Sequence, residues 1–338
     1  MSKIAHIMKE MMLLTINLHL FDGQPNTQTT TSEGLTEEMK VYYSDYLIDL
    51  VEPELVHDLF AQKHPIPKNG GKTIEFRQWD TLPEMTTPLV EGVTPDGQSL
   101  SMGTIRADVE QYGGYVTLSD MFMLTAIDPV LIVATRAIAS QAGRSLDTIS
   151  REVLNSGTVV QYAEGQVSDR AQLAYTDEIT NHNLTARAVK MAVRFLESQD
   201  APKINGYYAG IVHPFCKFDL TNDEDWRKPH EYVDPENIYE NEIGELYGVR
   251  FTQSSRAKKF EGAGAGGVDV YSTLIMGADA YGTTEVTGGG LQHITKPLGS
   301  AGTADALNQR ATCGWKATKV TKLLVQQYIV RIETTATP

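Results

Sequence analysis

The feature that most constrains this chain is a pair of strand-like runs held apart by a long, proline-studded connection. Ile74 and Phe76 alternate with Glu75 and Arg77, and Ile105, Ala107 and Val109 alternate with Arg106, Asp108 and Glu110. Such period-two patterning predicts strands with one covered face. Between them run Leu82 to Met102, with Pro83, Pro88, Pro95, Gly92 and Gly97 inside and Gly103 at the edge. A connection of about 20 residues without periodicity is uncommon inside a compact domain, and such segments are generally functional or docked on something else. The chain is therefore read as a body carrying a projection.

The body has its own constraint. Asp128-Pro129 predicts a helix start, with Asp as N-cap acceptor and Pro at the first helical position. Val130, Val133, Ala134, Ala137, Ile138, Leu146, Ile149 and Val153 then hold one face until Asn155-Ser156-Gly157. At 1.5 Å per residue this helix is roughly 40 Å long, the span of a whole domain. Gly143 sits in its middle at a cost of about 1 kcal/mol relative to Ala, which points to close packing or a permitted bend. A second amphipathic helix is predicted over Thr185 to Ser198, with Val189, Ala192, Val193 and Leu196 inward. Thr36 to Phe60 is also helical in pattern, broken or restarted at Pro53 and ended by the cluster His64 to Gly71. Strands are predicted over Tyr207 to His213, Val249 to Gln253 and Val268 to Met276. Lys319 to Glu333 reads as one long strand or a pair. There is no internal repeat and no heptad seam.

With 338 residues the chain exceeds a typical domain of roughly 150, so two domains or one core with projections is the expectation. A hydrophobic fraction of 41% with 21% charged residues places it among globular rather than disordered chains. The net charge of −14 argues against a surface that coats nucleic acid, because phosphate affinity comes from Lys and Arg displacing counterions. It is compatible with a container wall that does not trap DNA. Cys216 and Cys313 have neither C-x-x-C nor metal-ligand spacing, so two buried, isolated thiols and reduced cytoplasmic synthesis are expected. Met11 to Phe21, behind Lys3 and Lys9, faintly imitates a signal peptide. Glu10, Asn17 and His19 interrupt it, no cleavage site follows, and it falls short of the ~20 residues of a membrane span. It is read as an amphipathic leader.

Candidate chemistry is sparse. The tract Gly262 to Gly267 lacks the following Lys-Ser/Thr and helix of a phosphate-binding loop, so a surface loop is expected. His57 and His64 are seven apart, not the i, i+4 spacing of a helical zinc pair. His213-Pro214 closes a strand with no nucleophile elbow nearby and is read as a hydrogen-bonded core or strand-end histidine. Asp223-Glu224-Asp225-Trp226 lacks calcium-loop spacing and reads as a solvated turn, and Glu240 to Glu245 has carboxylates without a partner set for acid–base work. No catalytic, cofactor or metal residue is assigned.

Several blocks in order resemble the major capsid proteins of tailed bacteriophages, in the broad family named after the coat protein of the coliphage N-four. They are Thr36 to Leu50; Leu82-Pro83 to Gly103, including Thr86-Thr87-Pro88-Leu89-Val90-Glu91-Gly92-Val93-Thr94-Pro95; and Gln111-Tyr112-Gly113-Gly114-Tyr115-Val116. Glu242 to Phe251 and Lys296-Pro297-Leu298-Gly299-Ser300 through Asp305 to Thr312 and Gly314-Trp315-Lys316 complete the series. The likeness covers about Ser32 to Glu333.

The resemblance implies an α+β chain of the Hong Kong 97 type capsid fold. Its parts would be a leader and N-terminal arm over 1–70, an extended loop over 71–120 and a peripheral domain with a spine helix over 121–204. An axial domain would follow over 205–300, with a return to the peripheral domain over 301–338. It further implies a non-enzymatic shell protein without cofactor. Copies would assemble as hexamers and pentamers around double-stranded DNA, in the virion, after assembly in the bacterial host cytoplasm with possible scaffolding, portal and cement proteins and no membrane. Leu82, Met85, Leu89, Val90 and Val93 would lie on a neighbouring subunit, and Gly143 would let the spine bend. No Lys lies between Lys72 and the spine, so a covalent Lys–Asn weld of the extended loop is not expected. The rivals are an encapsulin-like compartment holding enzyme cargo and a metal-dependent hydrolase using His57, His64 or His213.

Overall fold

The computed structural model describes residues 55–65, 72–79, 82–88, 91–92, 94, 97–126, 130–175, 182–226, 242–285 and 291–338. Its largest sheet runs β5 (Val160–Tyr162), β15 (Ile329–Thr334), β10 (Val270–Met276), β6 (Tyr208–Val212), β8 (Val249–Gln253), β7 (Glu242–Leu246), with β9 (Lys259–Phe260) also paired to β10. Every residue of β6 and β10 is buried. A strand covered on both faces needs a nearly unbroken apolar run rather than alternation; β6 reads so, and β10 departs from it at Thr273 and at Ser272, whose hydroxyl donates to Asn155 Oδ1 at 2.6 Å. One face is covered by α3 (Ala186–Ser198) and α4 (Pro214–Asn222), whose Val189, Ala192, Leu196, Cys216 and Leu220 pack with Val212, Phe251 and Ile332. The opposite face is filled by Val56, Phe60, Leu154, Ala209, Ile211, Leu274 and Tyr281. Thr185 caps α3, its side chain accepting from Ala188 N at 3.2 Å.

The long helix, α2 (Val130–Leu154), serves a second sheet made of β12 (Leu291–Lys296), β13 (Arg310–Lys319) and β4 (Glu110–Ser119). Ile138, Ala139, Ala142 and Leu146 lie on Leu291, Cys313, Trp315 and Ala317. β4 and β13 pair in unbroken register from Ser119↔Arg310 to Glu110↔Lys319. Gly114 matters in this contact, because a Cβ there would stand 2.9 Å from Gln141 Oε1, the atom that accepts from Trp315 Nε1 at 3.2 Å. The predicted helix start at Asp128-Pro129 lies outside the described residues. Gly143 is buried within a continuous α2.

A third sheet, β1 (Gln62–His64), β11 (Tyr281–Thr284) and β14 (Thr321–Leu323), sits where these parts meet. It is pinned by a buried polar network. His57 Nδ1 lies 2.9 Å from Asp147 Oδ2, and Tyr281 donates to the His57 carbonyl at 2.6 Å. Ser150 donates to Asp58 Oδ1 at 2.5 Å and lies 2.9 Å from Thr321 Oγ1. The fully buried Lys319 donates to Asp58 Oδ2 and, at 3.0 Å, to the Leu146 carbonyl. Four chain segments are thereby tied at one point. Charged groups this deep persist only when paired and hydrogen-bonded, as these are.

Most predicted elements appear within two residues of their expected bounds. Of the helix expected over Thr36 to Phe60, only its end lies in described residues, and there Val56–Asp58 forms a single 3-10 turn. Lys319 to Glu333 is no single strand: it comprises the end of β13, β14, a turn at Gln326–Tyr328, and β15. These pieces belong to three sheets. The sheets also cross the chain positions 204 and 300, since α3 packs with β6 and β8, β12 pairs β13, and β15 pairs β10. Pairing between strands so distant in sequence leaves no local trace.

Candidate assembly surface

The two alternating runs do pair. β2 (Thr73–Trp79) and β3 (Met102–Asp108) form an antiparallel ribbon from Thr73↔Asp108 to Trp79↔Met102. Ile74, Phe76, Ala107 and Val109 turn inward, with Ile105, Val320 and Leu324 against them. Phe76 anchors the ribbon on the body: a Cβ at Gly282 would lie 2.4 Å from its ring, so only glycine admits it. Arg106 Nε donates to Glu75 Oε1 at 2.7 Å, and Thr73 Oγ1 to Asp108 Oδ1 at 2.7 Å. Both lie on the solvent side, where such links add little.

Beyond the ribbon the described residues of the loop form no core. The described residues from Leu82 to Ser101 are all exposed, Met85 at 60% and Leu100 at 58%. Gln98 Nε2 donates to Met85 Sδ at 2.7 Å and to the Pro83 carbonyl at 3.4 Å, tying the two limbs of the loop together. Leu82 and Met85, two of the five residues expected at a subunit contact, are therefore solvent-facing. Leu89, Val90 and Val93 lie outside the described residues.

Two further surfaces flank the second sheet, and neither was singled out from sequence. On the face opposite α2, a groove of 720 Å³ is floored by Gly113, Tyr115, Ile294 and Gly314 and rimmed by Lys296, Arg310 and Lys316. Asp305 Oδ2 accepts from Arg310 N at 2.8 Å. Beside the groove, burial first and then the 2.6 Å bond to Glu110 push the Tyr112 hydroxyl up to about 12. At the end of β4, α1 (Asp120–Thr125) exposes Met121, Phe122, Met123 and Leu124, the last at 80%. Four adjacent exposed apolar residues are the kind of patch a solitary soluble protein avoids. The run Met121-Phe122-Met123-Leu124 was the available signal, whereas the groove needed the β4–β13 pairing across roughly 200 residues.

The other candidate positions resolve into structural parts. His57 is buried against Asp147. His64 packs edge-on to Phe76, ring centroids 4.9 Å apart. His213 caps α4, its Nδ1 accepting from Phe215 N at 3.3 Å; burial first, then Lys259, holds its ring below the ordinary range. Among the described residues no group of three or more His, Cys, Asp or Glu side chains could hold a metal. In the Gly262 to Gly267 tract the amides are spent internally. Ala265 N donates to the Leu173 carbonyl at 2.7 Å and Gly264 N to the Val268 carbonyl at 2.8 Å. Asp223 Oδ2 accepts from Ala186 N at the start of α3, 2.9 Å away, a role beyond a solvated turn. Cys216 and Cys313 are buried and free, and burial pushes the Cys216 thiol up to about 12.

No family model matches the chain, and no curated protein matches its sequence. Solved structures do. The capsid of Ralstonia phage GP4 superposes with a TM-score of 0.66 over 94% of this chain and 97% of that one, at 17% identity. The capsid of cyanophage P-SCSP1u gives 0.62 over 84% and 89% at 12% identity, and that of cyanophage Pam1 gives 0.57 over 79% and 85% at 18% identity. The chain thus has the Hong Kong 97 type fold of tailed-phage capsid proteins. The α+β expectation and the resemblance are borne out at the level of fold.

Proposed function

We propose that this chain is the major capsid protein of a tailed bacteriophage, a structural protein without catalytic activity. Copies of it join as hexamers and pentamers into an icosahedral head around double-stranded DNA. It is assembled in the host cytoplasm and resides in the virion, with scaffolding, portal and cement proteins as candidate partners. The observation that carries this reading is the ribbon with its coreless loop on a body of capsid fold: apolar side chains are held out in water, where a neighbouring copy would bury them.

In this reading 71–120 is the extended loop, whose Leu82, Met85, Leu89, Val90 and Val93 lie on a neighbour. The 1–70 segment is the arm, 121–204 carries the spine helix, 205–300 is the axial part and 301–338 returns to the periphery. β15 pairs β10 in the large sheet, and β13 pairs β12 and β4 in the small one. Gly143, buried in α2, would let the spine bend in an immature shell.

Electron microscopy of the overexpressed full chain tests the proposal. Hollow polyhedral shells, or tubes of the same lattice, are expected; a monodisperse monomer at high concentration overturns it. Particles from infected cells are expected to hold DNA, and protein cargo in its place would favour the encapsulin-like compartment. Metal analysis of the purified protein addresses the hydrolase rival.

A further inference from the structure

We propose that a cluster of cations, where α2 meets the segment from Ser254 to Lys258 between β8 and β9, is the point at which the shell wall touches the phosphate backbone of packaged duplex DNA. This inference rests on the shell reading and names a surface that faces the cargo. Three observations support it.

The first is charge that is held in place without being cancelled. Arg151 Nη1 donates to the Arg256 carbonyl at 2.8 Å. Arg256 Nη2 donates to Thr148 Oγ1 at 3.0 Å and to the Arg144 carbonyl at 3.3 Å. These acceptors are neutral, so they fix the guanidinium groups and leave their charge standing. Lys258 Nζ lies 2.6 Å from Glu152 Oε2, and Arg151 Nη2 lies 2.7 Å from Glu152 Oε1. Among the described residues Arg144 and Arg256 pair with no carboxylate. The other carboxylate of α2, Asp147, is buried against His57. Arg144, Arg151, Arg256 and Lys258 thus share Glu152 as their paired carboxylate, and they form a positive cluster in a chain of net charge −14.

The second is the chemistry of the groups. Arg144 is exposed, and Arg151, Arg256 and Lys258 are half-buried. The planar donor fork of Arg matches the oxygens of a phosphate group. A docked protein segment would need apolar anchors, but the half-buried side chains beside the cations on α2 are the small polar ones of Ser145 and Thr148. Single-stranded nucleic acid is held by stacking its bases on aromatic rings. Phe260, whose ring lies 5.6 Å from Lys258 Nζ, is covered by the Arg170 guanidinium at 3.5 Å and so is taken. This combination favours the backbone of a duplex over an acidic protein or a single strand.

The third is scale. A wall rich in cations would hold DNA fast, because every neutralised phosphate releases counterions and adds affinity. A small cluster on an acidic chain gives a weak, sequence-independent contact that lets the polymer slide during loading and release. The cluster is also rigidly placed, since α2 rests on the small sheet through Ile138, Ala142 and Leu146 and β8 belongs to the large one.

The test has two arms. In the first, a duplex of about 20 base pairs is titrated with the full-length soluble subunit over a salt series, and the logarithm of affinity is expected to fall with that of salt at a slope of about −3, each neutralised phosphate contributing about −0.9. Arg144→Gln with Lys258→Gln is expected to reduce the slope to about −1. Lys296→Gln with Lys316→Gln, at the groove on the far face of the small sheet, should leave it unchanged. The melting temperature should hold in both variants, because all four are surface groups. Absence of binding at about 50 mM salt, a slope unmoved by the first variant, or one moved equally by the second overturns the proposal. Poly-glutamate that binds as tightly as the duplex and is lost in the same variant would assign the cluster to an acidic protein and also overturn it. Should the first variant misfold, the second arm decides with wild-type particles. Phenylglyoxal, which modifies guanidinium groups, is expected to label Arg144 several-fold less in DNA-filled shells than in emptied ones, read by peptide mass spectrometry, and equal labelling overturns the proposal. A wild-type chain that forms no shell defeats the shell reading itself, a result distinct from shells in which Arg144 reacts alike with and without DNA.

Discussion

The junction around Asp58 and the loop around Met85 solve opposite problems with the same chain. At the junction, groups that are costly to bury are buried and paired: Lys319 meets Asp58 and the Leu146 carbonyl, His57 meets Asp147, and Ser150 meets Asp58 and Thr321. In the loop, groups that gain by burial stay in water, with Gln98 bridging Met85 and the Pro83 carbonyl. The first region is complete within one polypeptide. In the proposed shell a neighbouring copy would complete the second, so damage to each should be visible in a different measurement.

The sharpest way to break this contrast is at Lys319. Lys319→Met leaves Asp58 buried without its cation, and removing one partner of a buried pair costs about 3–5 kcal/mol. Chemical denaturation of the isolated subunit is expected to show that loss; a change below about 1 kcal/mol would mean that water reaches Asp58 and the junction is not closed. Gly210→Ala probes the large sheet in the same way. Its Cβ would stand 2.6 Å from the Phe251 ring and 3.0 Å from Val249, and overpacking of this kind costs about 1–3 kcal/mol. Both variants should act on the subunit before any assembly takes place.

A smaller effect comes from pH. Burial, with Lys259 second, holds His213 below its ordinary 6.5. The folded value is thus lower than the unfolded one, so the neutral ring favours the fold. That contribution is whole above about pH 6.5 and drains away as pH falls through the depressed value. His213→Asn keeps a capping acceptor for Phe215 N and removes the titration. The denaturant midpoint of this variant is expected to fall less than that of the wild type between about pH 7.5 and 5.5. Equal slopes would mean that the ring is hydrated.

The contrast also marks what was legible in the sequence. Local order was: the alternation at Ile105, Ala107 and Val109 predicted β3, the apolar stripe from Val130 predicted α2, and the run at Tyr207 to His213 predicted β6. The loop was legible because prolines without periodicity cannot build a core. The junction was not, because Asp58, Asp147 and Lys319 are charged residues whose burial depends on partners up to 261 positions away. The groove was hidden for the same reason, since Tyr115 and Ile294 become neighbours only through β13. Met121 to Leu124 was readable as an apolar run, yet its exposure requires knowing that α1 lies at the end of the sheet.

The loop supplies the smallest effect on the subunit and therefore the cleanest separation. Leu82→Ser with Met85→Ser removes two exposed apolar side chains that touch no part of the core, so subunit stability should move by no more than about 0.5 kcal/mol. In assembled shells the same atoms would be buried, at about 25 cal/mol per Å² of apolar surface withdrawn from water, and the term recurs in every copy. The expected outcome is an unchanged denaturation curve for the subunit together with a raised concentration threshold for shell formation, read by light scattering. Protease sensitivity of the loop should likewise be high in free subunits and low in wild-type shells. If the double variant assembled at the wild-type threshold while its loop stayed protected, burial of Leu82 and Met85 would not be what holds the loop. The contrast with the junction would then rest on backbone docking alone.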